Sequence, residues 1–463
     1  FFHFQVSQTD GTLLGFLKLF GFYPFSERAV AFYRPIFREI LYHISYSIFG
    51  LNSSPLRILQ FLIHFLNTYL VYVLIKNIFK DRKVALFSSF FFGITAANVA
   101  AFYYLAGGIQ AMGATMFILL SIIFFHKYLE KKNTKLKITS FVTFLLGLAS
   151  HELGVVGLPL ITGLIYLKEK NFKGFLKRTI KEIYIPIIFT VIYLYFDFRV
   201  IGFSKDEIQY RPILGIKNVI NSLGWYLGWA LGLPEMLIDF VSPGFKLNPD
   251  LMKYFGSYFK VIFSSFAVSF GILLFGTISL LKNKDLLRNS KFWYFILWFP
   301  LAIAPVIFLP LHKSTYYLAV SLPAFWAVVG YIAFKIKEKS RILFWVLTIS
   351  LVTLSTFSIN LGEKTFWAVS RGRIAKKLIN EIKSKYPILP RGAVIYFVND
   401  PSYPFISDEW GGTSKQAYYA LSNDDALQLL YKDKTLKVYF EDVNGTPQKV
   451  SKDELLVLTA EIQ

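Results

Sequence analysis

Residues 33–79 read YRPIFREILYHISYSIFGLNSSPLRILQFLIHFLNTYLVYVLIKNIF, and this stretch decides the class of the chain. It predicts an amphipathic segment, a turn, and a helix long enough to cross a bilayer. Pro35 suits the first turn of a helix, where its missing N–H costs nothing. Arg34 and Arg38 stand four apart and project from one helical face. Asn52-Ser53-Ser54-Pro55 breaks the pattern and caps the long apolar helix that follows. A cationic face beside the start of a membrane span is suited to holding an anionic lipid head group. Its plain alternative is anchoring of a surface helix.

Outward from that stretch, composition points the same way. The chain has 463 residues, 54% hydrophobic and 18% aromatic, with a mean hydropathy of +0.47. Soluble domains are about 45–50% apolar. Here the excess lies in runs near the roughly 20 residues a span requires, at 55–78, 84–104, 108–128, 138–150, 152–168, 183–200, 257–281, 292–310, 315–335 and 341–361. The net charge of +21 does not indicate nucleic acid. The cations sit in short loops between apolar runs, the positive-inside pattern: Lys76 to Lys83, Lys127 to Lys137, Lys168 to Lys181 (Lys170 among them), Lys282 to Lys291 (Lys284 among them) and Lys335 to Arg341. These loops share one side, the cytoplasmic one, if 201–256 makes no net crossing. Residues 214–233 then form an interfacial or re-entrant helix, with Trp225 and Trp229 at the lipid–water boundary.

The domain reading has three parts. Residues 1–54 are a first external loop, 55–361 a transmembrane domain of about ten helices with 201–256 outside, and 362–463 a small external α/β domain. In the last, 366–386 reads as an amphipathic helix, 393–398, 436–440 and 455–459 as strands, and 424–431 as a helix capped by Ser422 or Asn423. The fold class is an all-α polytopic membrane protein with a small C-terminal α/β domain. Cysteine is absent, which excludes a thiol nucleophile and a thiolate metal site.

"YRP", an amphipathic helix, "FGLN" and then His64-x-x-Asn67 resembles the first external loop and the following helix of the GT-C glycosyltransferases, the branch related to protein O-mannosyltransferases. The resemblance implies an inverting transferase that takes a sugar from a polyprenyl-phosphate donor to a glycan, lipid or protein acceptor outside a bacterial or archaeal plasma membrane. Arg34 and Arg38 are then the leading candidates for the donor phosphate. His151-Glu152 in LASHELGVVGLPL (148–160) resembles the family's "S-K-E" or "S-H-E" element. An acid between two apolar helices is expensive unless functional or wet, so both residues are catalytic candidates. The alternative for Glu152 is a solvated hairpin tip or a salt bridge to Arg34 or Arg38. His312-Lys313 in FLPLHKSTYYLAVSLPAF resembles the late external loop, where Lys313 would reach the phosphate and Tyr316 or Tyr317 the sugar. His64 and Asn67 read as interhelical hydrogen bonders, and Gln110 as structural.

The resemblance also implies an acidic pair early in the first external loop. Asp10 reads as a turn residue and Glu27 lies beside Arg28, so the pair and a first helix are expected before Phe1. No metal ligands are assigned and no cofactor is certain, although a divalent metal is compatible with the chemistry. Competing readings are a transporter or flippase of lipid-linked glycans and a non-catalytic membrane scaffold. Spans almost free of charge disfavour the first of these.

Overall fold

The computed structural model describes residues 1–169, 171–202, 208–242, 246–282, 286, 288–403, 411–448 and 455–462. Lys170 and Lys284, counted above among the loop cations, lie outside them. The chain divides into two compact units. One comprises Phe20–Arg38 and Leu56–Lys364, the other Phe1–Leu19, Glu39–Pro55 and Thr365–Gln463. The two amphipathic parts of the first 54 residues thus belong with the C-terminal region and not with the spans.

The larger unit is helical. Among the described residues, six helices are long and apolar enough to cross a membrane: Ser54–Phe79, Leu105–Lys131, Phe172–Ile201, Pro249–Lys282, Ser290–Ile307 and Arg341–Thr365. A seventh span is counted if Arg82–Ile94 and Ala96–Tyr103, bent by 45°, are taken together. Three of the ten expected spans fall short. Thr134–Leu148 has 15 residues and Gly157–Lys168 has 12. At 1.5 Å per residue these reach about 22 and 18 Å, against a hydrocarbon core of about 30 Å. The third run divides into Thr315–Val320 and Leu322–Lys339, and Lys335, Lys337, Glu338 and Lys339 charge the last turns of the second piece.

Helix Ser54–Phe79 starts where Asn52 Oδ1 accepts the Ser54 N–H at 3.0 Å, as its capping sequence requires. Its polar face completes the bent span beside it. Thr95 interrupts that span. Phe92 O is satisfied by Asn98 Nδ2 at 2.8 Å and Gly93 O by His64 Nε2 at 2.9 Å. Ala101 O accepts from Gln60 Nε2 at 2.6 Å, and Phe102 O and Tyr103 O accept from Arg57. Asn67 Nδ2 donates to Met112 O at 2.9 Å. His64 and Asn67 are therefore interhelical hydrogen bonders, and His64 keeps the carbonyl freed at the break from being buried unpaired.

Helix Ile216–Leu231 is a single 16-residue element, too short to span. Trp229 is fully buried among Tyr226, Leu231 and the other core side chains, while Trp225 packs against the same core from a half-buried position. This corrects the expectation that Trp229 anchors at a lipid–water boundary: the helix turns that indole inward.

In the smaller unit, Val394–Val398 is the central strand of a parallel three-stranded sheet. Lys437–Phe440 lies on one side and Leu455–Thr459 on the other. Ile395 pairs with Val438 and with Leu456. Helix Trp367–Lys385 buries Ile374, Ala375, Leu378 and Ile382, the one-sided spacing of an amphipathic helix. Ile395, Phe397, Phe440 and Leu427 complete the core. A helix at Thr413–Leu421 was not expected. Helix Asp425–Tyr431 has Asp424 at its N-cap with no side-chain capping bond, whereas Ser422 Oγ donates to Asp425 at 3.2 Å. Neither expected cap operates, because Ser422 and Asn423 both take left-handed backbone conformations, unlike the extended one an N-cap needs.

Candidate functional site

Three distant stretches of the larger unit meet around Arg34. The Tyr33 N–H donates to Asp197 Oδ1 at 2.9 Å, and the Ile36 N–H donates to Ala149 O at 3.2 Å. These two bonds fasten the Tyr33-Arg34-Pro35 segment between the end of one span and the tip of the short helical hairpin. The tip is tight because two backbones touch: a Cβ on Gly154 would lie 2.6 Å from the carbonyl group of Gly147. Only glycine permits that approach.

Arg34 Nε donates to Glu152 Oε2 at 2.8 Å and Nη2 to Oε1 at 2.7 Å, a two-point pairing along one edge of the guanidinium. Nη1 donates to Gln110 Oε1 at 2.7 Å. The two charged side chains are 15% and 16% exposed, so the pair is well shielded. Burial alone would push the Glu152 carboxyl up. Arg34 and then His151 more than reverse this and hold it below the ordinary 4.5. Glu152 is therefore ionised at neutral pH and a weak base.

His151 is fully buried and caps the 3-10 helix Glu152–Val156, its Nδ1 accepting the Leu153 N–H at 3.2 Å. An accepting Nδ1 places the proton of the neutral ring on Nε2. Burial and the charge of Arg34 push its pKa down to about 3. Nδ1 is thus engaged, and it also lies 3.2 Å from Glu152 Oε2, while Nε2 is the ring's hydrogen-bond donor.

Arg38 is buried and serves the backbone, its terminal nitrogens donating to Ala31 O and Phe32 O at 2.7 Å each. This holds Phe32 at φ 62°, where non-glycine residues are uncommon. Tyr317 stands with its ring 6.4 Å from that of His151 and 5.7 Å from that of His312. Tyr316 packs on Tyr317 at 4.1 Å and on Tyr104 at 5.8 Å. Lys313 Nζ donates to Pro310 O at 2.8 Å. The structure thus joins Arg34, His151 and Glu152 directly, reaches His312 through Tyr317, and turns Lys313 to Pro310 O of its own loop and, at 3.5 Å, to Asn221 Oδ1.

Asp197 and Tyr193 were not anticipated. They lie near the end of an apolar run, where an acid two positions before Arg199 was the available signal. Three buried donors around the pair have no partner among the described residues: Gln110 Nε2, His151 Nε2 and Tyr193 Oη. The first two are oriented by bonds already made, since Gln110 must offer its oxygen to Arg34 and His151 its Nδ1 to Leu153. Buried donors of this kind are expensive unless a polar group meets them. Among the described residues no group of three His, Asp or Glu side chains could hold a metal ion.

Residues 33–196 match the family model described as dolichyl-phosphate-mannose-protein mannosyltransferase. The match contains Arg34, Arg38, Gln110, His151, Glu152 and Tyr193. No curated protein matches the chain. Among solved structures, the chain is similar to the oligosaccharyltransferase AglB of Archaeoglobus fulgidus. In the complex of AglB with an inhibitory peptide and a dolichol-phosphate, identity is 12% and the TM-score 0.42, over 91% of this chain and 57% of that one. In the apo form, identity is 12% and the TM-score 0.43, over 96% and 60%. The chain thus spans less than two thirds of these proteins, and scores of this size carry no roles across.

Proposed function

With residues 33–196 carrying the pattern of the GT-C membrane glycosyltransferases, we propose that the chain transfers a sugar from a polyprenyl-phosphate donor to an acceptor at the external face of a membrane. The observation that supports this best is the shielded Arg34–Glu152 pair ringed by the unpaired donors of Gln110, His151 and Tyr193. Unpaired donors beside a guanidinium suit a ligand rich in acceptor oxygens, which a sugar phosphate is. Glu152 grips the guanidinium by the Nε–Nη2 edge, and each terminal nitrogen carries a second N–H for a phosphate oxygen. Arg38 adds positive charge close by, and Lys313 and His312 lie on the loop that brings Tyr316 and Tyr317.

In the proposed step the acceptor's nucleophilic atom attacks the anomeric carbon from the face opposite the phosphate. The new bond forms as the carbon–oxygen bond to phosphate breaks, and its electron pair leaves with the polyprenyl phosphate. A single displacement inverts the anomeric centre. The acceptor's proton goes to a carboxylate. Glu152 is tied to Arg34, which leaves Asp197, buried beside the pair and held by one backbone N–H, as the base of this site. The described residues do not form a metal-binding set, and no step is assigned to a metal. The cationic loops, cytoplasmic by the positive-inside pattern, support an external site and an external C-terminal unit.

The test is transfer in reconstituted vesicles supplied with a panel of polyprenyl-phosphate sugars, with the product anomer read by NMR. Arg34→Lys keeps the charge and loses the fork, and is expected to slow transfer about tenfold to a hundredfold. Unchanged turnover in Arg34→Ala would return Arg34 to a structural ion pair. Movement of donor lipid across the bilayer without transfer would favour a flippase.

A further inference from the structure

We propose that Glu235 is a positioning residue, a carboxylate clamp that sets the loop carrying Tyr316 and Tyr317 against the Arg34–Glu152 pair. Its kinetic consequence rests on the glycosyl-transfer reading, but its structural consequence does not.

Glu235 opens the 3-10 helix Glu235–Phe240, just after helix Ile216–Leu231 ends at Gly232 with φ 124°. A glycine is needed there, since that backbone is closed to other residues, and the turn aims Glu235 away from its own helix. The carboxylate then reaches 80 positions along the chain. Oε2 accepts the Thr315 N–H at 2.7 Å and Thr315 Oγ1 at 2.6 Å, while Ser314 Oγ donates to Oε1 at 3.0 Å and approaches Oε2 at 3.2 Å. Three donors from two adjacent residues converge on one side chain. Burial pushes the carboxyl up, and these bonds pull partly against that.

The clamp grips the first residue of Thr315–Val320. Thr315 is 1% exposed, and Tyr316 and Tyr317 follow it directly. Rigid peptide geometry leaves only two soft torsions per residue, so a shift at Thr315 passes to both rings. The Tyr317 ring is the link between His312 and His151 described above, and Tyr316 packs on it. A single hydrogen bond would hold the loop loosely, whereas three donors converging on one buried carboxyl fix the backbone and the side chain of Thr315 together, which is useful where the position of the next two side chains matters.

The test uses the full chain in lipid nanodiscs, with Glu235→Gln and Glu235→Ala. Hydrogen exchange of the segment 315–320 reports the clamp without reference to activity. Glu235→Ala is expected to raise it about tenfold or more, and Glu235→Gln, which keeps one accepting oxygen, by less. Adding Thr315→Val to Glu235→Ala is expected to change little further. In transfer assays kcat/KM is expected to fall about tenfold, chiefly through KM for the donor, with partial rescue in Glu235→Gln. Unchanged exchange in Glu235→Ala overturns the clamp. Faster exchange with unchanged kcat/KM overturns its positioning role. Faster exchange in a protein whose wild type transfers no sugar supports the clamp and overturns the transfer reading instead. If the alanine variant fails to fold, the glutamine variant carries the same comparison.

Discussion

Replacing Glu152 by glutamine separates the charge of the Arg34 pair from its shape. The carboxylate receives two charge-assisted bonds, at 2.8 and 2.7 Å. Such bonds are worth about 1.5–3 kcal/mol each. A glutamine keeps one acceptor and turns an NH2 toward the other guanidinium N–H, so at least one bond is lost. The pair is only 15–16% exposed, which sets it apart from surface ion pairs worth about 0–1 kcal/mol. The expected loss is about 2–3 kcal/mol at neutral pH. The sign with pH follows from the depressed Glu152 pKa. Its contribution is fully present above the ordinary 4.5 and disappears as pH falls through the lower folded value, because a protonated acid and an amide are then equivalent. His151, whose pKa falls from 6.5 to about 3, adds its own loss of stability between those values, so the difference between wild type and variant is the quantity to follow. Denaturant unfolding of both proteins in the same detergent, from pH 7 to pH 3, provides it. The gap should be widest at pH 7 and narrow below 4.5. No gap at pH 7, or one that persists undiminished in acid, would refute the reasoning.

Two further outcomes are expected. Gly154→Ala places a Cβ against the Gly147 backbone at 2.6 Å and should cost about 1–3 kcal/mol by overpacking, measured as a drop in unfolding midpoint; a neutral result would mean that the hairpin tip is not close-packed. The chain has no cysteine, so single-cysteine variants report topology cleanly: Ser402→Cys should react with an impermeant thiol reagent in intact cells and Glu338→Cys should not, and the reverse pattern would invert the proposed orientation.

Much of the helical unit was legible because a span must be apolar for its whole length, and apolar runs survive in sequence without knowledge of their neighbours. The Arg34–Glu152 contact was foreseeable as one of two partners for an acid stranded between hydrophobic helices. What could not be read was anything set by a remote partner. Trp229 looks like an interfacial anchor until the helix face it occupies is known. Asp197 is one letter at the end of a hydrophobic run, and its role comes from the Tyr33 amide 164 positions away. Glu235 has no local signature, since its three donors lie about 80 residues on. Arg38 was readable as a cation one helical turn from Arg34, but the carbonyls it serves, at Ala31 and Phe32, depend on a left-handed turn that a phenylalanine rarely signals.

The bent span has a consequence for how the protein enters a bilayer. Its break leaves the carbonyl of Gly93, and its end those of Ala101, Phe102 and Tyr103, and helix Ser54–Phe79 completes all four through His64, Gln60 and Arg57. In hydrocarbon each orphaned carbonyl would cost several kcal/mol, so the bent segment is a poor passenger by itself. The helix that rescues it is the one synthesised immediately before it, with a short turn at Lys80-Asp81 between them. The two are thus expected to enter the bilayer as a single unit, the polar side chains of the first already meeting the carbonyls of the second. Polar residues along Ser54–Phe79 that seem costly for a lone span are what makes the pair insertable together.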